Sequence, residues 1–366
     1  MNRVSRREFL GWSRFVVTGA AAAQLVARPG RAVAQPLTKV KFTLPWVPEG
    51  SNCYAWVAKN KGFWKKRGLD VDVARGFGSV AATQALGGGQ FDFGHAVTPV
   101  IILQIAKGLP LVSIAQFTYK NTMGFGVLAD SPIKTPKDLE GKTVGWTATS
   151  GEVPFFPLFA RQAGIDESKI KFVNMNIEVR YRALMDKQID AMTDFAVSAI
   201  PPIVTQGVPL RWTLYSNYGI NFYESSLMTQ PKTMKEKPEL CQAVVDGAME
   251  AVSFALLNPE ESLDIFLKEV REAGMTAKGR DNVKLGLGIF TFSALSEEAR
   301  QHGFGYAEAK RFAEMNDLVA TYLNKDGTKP AVDALFTNAF AGRIKLTDAQ
   351  WADVKKRNEE FARYFA

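Results

Sequence analysis

The chain has 366 residues, 46% of them apolar and 22% charged, enough to build more than one buried core. Its net charge of +8 owes most to residues 1–34, whose six arginines and one glutamate carry +5, leaving 8 − 5 = +3 for the other 332 residues. That weakly basic, mixed-sign remainder argues against a nucleic-acid partner, and two cysteines (Cys53, Cys241) with two histidines (His95, His302) supply neither a metal set nor a disulfide framework.

Ser5-Arg6-Arg7-Glu8-Phe9-Leu10 is a twin-arginine export pattern, followed by the mildly apolar run Phe15 to Ala27 and the A-x-A site Ala32-Val33-Ala34. Residues 1–34 are therefore expected to be a signal peptide, with a periplasmic mature chain starting at Gln35. The apolar run is too short and alanine-rich for a membrane span. No cysteine follows it to take a lipid anchor.

Residues 35–128 read as the first part of one lobe. Val40 to Leu44 is a strand stopped by Pro45, and Asn52 to Trp64 has apolar residues at helical spacing. Leu69 to Ala74 alternates as a strand, Ser79 opens a helix to Leu86, and Phe91-Asp92-Phe93-Gly94 begins a third strand. Thr98-Pro99 starts the next helix, and Leu111 to Phe117 is a fourth strand. The alternation predicts a parallel α/β sheet.

Residues 129–221 repeat the plan as a second lobe, after a strand over Met123 to Ala129 leaves the first. Lys142 to Trp146 is a strand, and Thr149-Ser150-Gly151-Glu152 forms a polar turn into a helix that runs to about Ala163. Ile170 to Met175, Ile189 to Asp194 and Leu210 to Tyr215 are further strands. Residues 222–366 return to the first lobe through a strand at Phe222 to Met228. They then run as amphipathic helices over Pro238 to Leu257, Pro259 to Ala273, Ser296 to Leu323 and Asp348 to Tyr364, expected only to cover the sheets.

In such sheets ligands sit at the carboxyl ends of strands, where helix N-termini present free N–H groups. Those ends carry Trp46, Asn52, Ser79 and Thr98 in the first lobe, and Thr149, Ser150, Glu152 and Asp194 in the second. Trp46 suits stacking on a flat ring, or a core indole beside Pro45. Asn52 and Ser79 suit a ligand edge or a helix cap. Glu152 would repel an anion and accept bonds from an amine, or simply favour its helix dipole. Tyr223 and Glu224 adjoin the returning strand and stand ready to close over a ligand, or to be hinge surface. His95 reads as a hydrogen-bonded structural residue. No catalytic residues, metal or cofactor are expected.

Trp46-x-Pro48, Tyr54-Ala55-Trp56-Val57-Ala58-Lys59-Asn60-Lys61-Gly62-Phe63-Trp64, Arg67-Gly68-Leu69-Asp70-Val71, Gly76-Phe77-Gly78-Ser79, Phe91-Asp92-Phe93-Gly94 and Pro136-Lys137-Asp138-Leu139-Glu140-Gly141-Lys142-Thr143-Val144-Gly145 together resemble the substrate-binding proteins of ABC transporters. More narrowly, the chain is similar to the sulfonate and thiamine-pyrimidine-precursor binders. Leu44-Pro45-Trp46-x-Pro48 leans to the latter. The resemblance implies a type II periplasmic binding fold, with two lobes about a central hinge. It also implies a monomer that delivers a small molecule to an inner-membrane permease.

One branch of that superfamily is an enzyme that makes the thiamine pyrimidine, using a histidine, pyridoxal phosphate on a lysine, and a cysteine-rich iron motif. Alignment on Lys61-Gly62-Phe63 puts Asn52 where that histidine would lie, and no cysteine cluster exists here. The expected function is thus capture of a small nitrogen-containing aromatic and not catalysis. Trp46 and Tyr223 would stack on its ring while Asn52, Glu152, Asp194 and Glu224 read its polar edge. The alternatives are a sulfonate, aromatic carboxylate or nitrate held by the helix starts at Ser79 and Ser150, the synthase, and a receptor-docking sensor.

Overall fold

Two five-stranded sheets carry the chain in this computed structural model, which describes residues 36–324 and 328–365. The expected export segment lies outside the described residues. The first sheet takes β1 (Thr38–Thr43), β2 (Leu69–Ala74), β3 (Phe93–Val97) and β4 (Val112–Thr118). The second takes β5 (Met123–Leu128), β6 (Thr143–Trp146), β7 (Lys171–Asn174), β8 (Ala191–Phe195) and β9 (Leu210–Leu214). Strand β10 (Ser225–Thr229) returns to the first, so the orders are β2-β1-β3-β10-β4 and β7-β6-β8-β5-β9.

Neither sheet is wholly parallel, which corrects the expectation from strand–helix alternation. β1 runs parallel to β2 and β3, and β6 parallel to β7 and β8. The exceptions are the strands that cross between lobes: β10 is antiparallel to β3 and β4, and β5 to β8 and β9. A chain leaving one sheet at its carboxyl edge enters the other from the same side, and so runs against the strands already there. β3, β4, β5, β8 and β10 are buried along their whole length, as expected of strands covered on both faces.

Helices follow the strands: α1 (Cys53–Asn60), α2 (Ser79–Gly87) and α3 (Thr98–Ala106) in the first lobe, then α4 (Phe156–Ala163), α5 (Ile177–Met185) and α6 (Ala196–Val204) in the second. After the short α7 (Pro231–Glu236) come α8 (Pro238–Leu257), α9 (Pro259–Glu269), α10 (Arg271–Gly274) and α11 (Gly279–Ala294). Trp64 is a packing residue: its Nε1–H donates to the Val244 carbonyl of α8 at 3.1 Å, and a Cβ at Gly247 would lie 2.2 Å from its ring.

Two C-terminal expectations need correction. The stretch Ser296 to Leu323 is not one helix but α12 (Glu297–His302) and α13 (Ala309–Tyr322), parted where Gly303 and Gly305 take φ of +93° and +90°. The sequence reading also passed over α11, in which Gly286 and Gly288 dilute the helical signal. Those glycines let it approach at backbone distance: a Cβ at Gly50 would stand 2.2 Å from the Val283 carbonyl oxygen, and one at Gly286 would stand 3.3 Å from Gly50 Cα. α11 is more than cover, since Ile289, Phe290 and Ser293 line the cavity described next.

Candidate functional site

The carboxyl ends of the parallel strands meet around a cavity of about 590 Å³, counting its mouth. From the first lobe it is lined by Pro45, Trp46, Glu49, Ser79, His95 and Thr118; from the second by Ser150, Asp194, Phe195 and Ser198. Thr122 and Glu224 come from the two crossing segments. The lobes touch beside it. The Val80 N–H donates to the Thr149 carbonyl at 3.2 Å, and the Thr149 hydroxyl donates to the Phe77 carbonyl.

Five of the anticipated residues, Trp46, Ser79, Ser150, Asp194 and Glu224, line this cavity. The others are engaged elsewhere. Asn52 donates through Nδ2 to the Val47 carbonyl at 3.2 Å and holds the loop rather than capping α1 with its side chain. The Thr98 hydroxyl pairs with Ser226 Oγ at 2.7 Å and accepts from Gln116 Nε2 at 3.2 Å, inside the first sheet. Thr149 makes the contact between lobes. Tyr223 does not face a ligand: its hydroxyl donates to Glu298 Oε1 at 3.1 Å and accepts from the Glu308 N–H at 3.0 Å, with Arg311 3.8 Å over its ring. Even Ser79 has its Oγ committed, accepting from the Val97 N–H at 3.1 Å.

Glu152 lies behind the wall as part of a buried charge cluster. It accepts from Thr193 Oγ1 at 3.1 Å and from the Ser150 hydroxyl, and pairs with Arg180 Nη1 at 3.8 Å. Arg180, fully buried on α5, donates through Nη2 to Asp194 Oδ2. Asp194 also accepts from the Tyr181 hydroxyl at 2.9 Å and the Phe195 N–H at 2.8 Å. Burial pushes Asp194 above the usual carboxylate value, against the pull of Arg180, the Phe195 N–H and the Tyr181 hydroxyl, all three of which favour its charged form. Burial opposes the charge on Arg180, but Asp194, Tyr181 and Glu152 outweigh it and hold the guanidinium protonated. Burial and then the Asp194 charge push Glu152 up to about 7.

Sequence reasoning missed Arg180, because an arginine in a helical pattern normally signals a solvated face. It also missed Glu49, although an acid in the loop after the first strand of such a sheet was an available signal. Glu49 Oε1 accepts from Ser51 and from Ser198, both at 2.7 Å, one from each lobe. Burial between the lobes pushes it up to about 7. Glu224 Oε1 accepts from Thr122 Oγ1 at 2.6 Å, while its Oε2, like Trp46 Nε1, is buried without a partner. Burial pushes Glu224 up to about 8. His95 accepts or donates at Nδ1 with the Tyr54 hydroxyl, 3.0 Å away, and burial lowers it to about 3, so it is neutral.

A model of the family described as NMT1/THI5 like matches residues 53–262, more than half of the chain. The chain belongs to the NMT1/THI5-like family. Among relatives, the chain is 24% identical to the formylaminopyrimidine-binding protein of Halalkalibacterium halodurans over 241 residues, 65% of this chain and 73% of that one. It is 23% identical to the riboflavin-binding protein RibY of Chloroflexus aurantiacus over 330 residues, 87% of this chain and 90% of that one. Among solved structures, the alkanesulfonate-binding protein SsuA from Xanthomonas axonopodis pv. citri, bound to MOPS, superposes with a TM-score of 0.63 at 13% identity, over 82% of this chain and 99% of that one. At that identity the likeness is one of fold, and this NMT1/THI5-like chain has the two-lobed periplasmic binding protein fold.

Proposed function

We propose that the protein is the solute-binding component of an ABC importer and captures a small nitrogen-containing aromatic, such as a thiamine pyrimidine precursor. The observation that carries this reading is the composition of the cavity wall. Trp46, Phe195 and Phe290 offer apolar faces, and Glu49, Asp194 and Glu224 offer acceptors. Among the described residues no lysine or arginine lines it, which leaves a sulfonate or nitrate without a counter-charge. Relatives named for binding a formylaminopyrimidine and riboflavin lend support to a nitrogen-rich ring.

In this reading the chain works in the periplasm after twin-arginine export and cleavage near Ala34. It binds as a monomer, delivers to a permease, and turns over no substrate. The test is mass spectrometry of small molecules released from protein purified from its own periplasm, followed by calorimetry with the compound found. An aminopyrimidine or related heterocycle is expected. A sulfonate or nitrate bound with micromolar affinity or better would refute the ring assignment. Steady product formation from pyridoxal phosphate and iron would refute the binding role.

A further inference from the structure

We propose that the ligand is an organic cation, its charged nitrogen held by Glu49 and Glu224 together; this deepens the binding reading above and depends on it only for the location of the site. The argument begins with charge. Of the acids in and behind the wall, Asp194 and Glu152 share Arg180. Glu49 and Glu224 both line the cavity, and among the described residues neither has a cationic partner. Glu49 is satisfied on one oxygen by two serine hydroxyls, and Glu224 on one oxygen by a threonine hydroxyl.

The second observation is independent of the acidic count. Glu224 is only 6% exposed, and its Oε2 is buried with no hydrogen-bond partner. A buried acceptor left without a donor is costly, and Glu224 lines the cavity, so a ligand N–H brought against its carboxyl would satisfy this oxygen. The two carboxyls also feel each other, since the Glu49 charge adds to burial in raising Glu224. One ammonium or amidinium placed between them favours the charged carboxylates, so its binding releases the protons that burial holds on them and gives the free oxygen a donor. A neutral ring edge does only the latter. The remaining polar groups of the wall do not supply the charge: His95 is neutral and bonded to Tyr54, and Arg180 is committed behind Asp194.

The experiment is calorimetry at pH 7 with two pairs of near-isosteric probes. One pair is the 5-aminomethyl and 5-hydroxymethyl derivatives of 4-amino-2-methylpyrimidine; the other is benzamidine and benzamide. The cationic member is expected to bind at least tenfold tighter in each pair. Glu224→Gln and, separately, Glu49→Gln should reduce that preference to threefold or less, with folding checked by circular dichroism. Equal or better binding of the neutral members overturns the cation inference and leaves the pyrimidine reading intact. Preference for benzamidine with no binding of either pyrimidine upholds the inference and removes the ring assignment. A preference that survives both glutamine variants, or no binding by any of the four probes, overturns it.

Discussion

Ser198 Oγ at the start of α6 donates to Glu49 Oε1 at 2.7 Å, so a wall carboxyl of the cavity also fastens one lobe to the other. Ser51 supports the same oxygen from the first lobe. Removing the hydroxyl with Ser198→Ala takes away one hydrogen bond to a group that ionises, worth about 1 kcal/mol or slightly more. Ligand affinity should fall roughly fivefold, mostly through faster dissociation. Stopped-flow tryptophan fluorescence reads the rate, and an unchanged dissociation rate would show that the bond does no fastening.

Among the described residues Arg180 is the single cation paired with two buried acids, Glu152 and Asp194. Arg180→Met strands both carboxyls, and breaking a buried pair in this way costs about 3–5 kcal/mol. Adding Asp194→Asn should return a substantial part of that loss, because the closer anion is then gone. Urea unfolding of the two single variants and the double variant measures the coupling. Strictly additive losses would mean that the pair is not energetically joined.

Stability should depend on pH in a direction opposite to that of an ordinary acidic surface. Glu49 and Glu152 are raised to about 7 and Glu224 to about 8, against an ordinary 4.5. The folded state therefore holds protons that the unfolded chain releases, so the stability these three carboxyls contribute is full below about 4.5 and is lost as pH rises through their folded values. His95, lowered to about 3, is neutral in both states above about 6.5 and does not contribute there. Between pH 6.5 and 8 the melting temperature of the protein without added ligand should fall by roughly 2–4 °C. Glu224→Gln should flatten the slope. A melting temperature that climbs over this range would contradict the assigned ionisations.

Gly78 bears directly on the contact between lobes. Its φ is +112°, and a Cβ there would lie 1.9 Å from the Thr149 carbonyl oxygen. Gly78→Ala should push the lobes apart and weaken ligand binding by more than tenfold. Gly62→Ala is the control, since its φ of +71° carries a backbone penalty but nothing lies within 4 Å of the added methyl. Matching affinities for the two variants would mean that Gly78 matters only for its backbone angle.

The periodicities that reveal strands and helices are local, and so the order of the strands and the restart after Met123 to Ala129 were readable from residues alone. Sheet direction was not. It depends on which side a crossing strand enters from, as β5 and β10 illustrate. The candidate site was half legible for a related reason. A position at the carboxyl end of a strand marked Trp46 and Asp194, and a place beside the returning strand marked Glu224, but neither says which way a side chain turns. Tyr223 packs under Arg311 and Asn52 holds a loop.

By itself the sequence determined the family and the two-lobed plan, and offered acidic and aromatic residues for a pocket, because each follows from patterns within a few residues along the chain. Only the tertiary structure decided how those acids are used. Pairing of Asp194 with Arg180, of Glu49 with Ser198, and the solitary Oε2 of Glu224 join residues distant in sequence or depend on burial. The sign and partners of a buried charge are set by what packs around it, and that packing exists only once both lobes are folded and in contact.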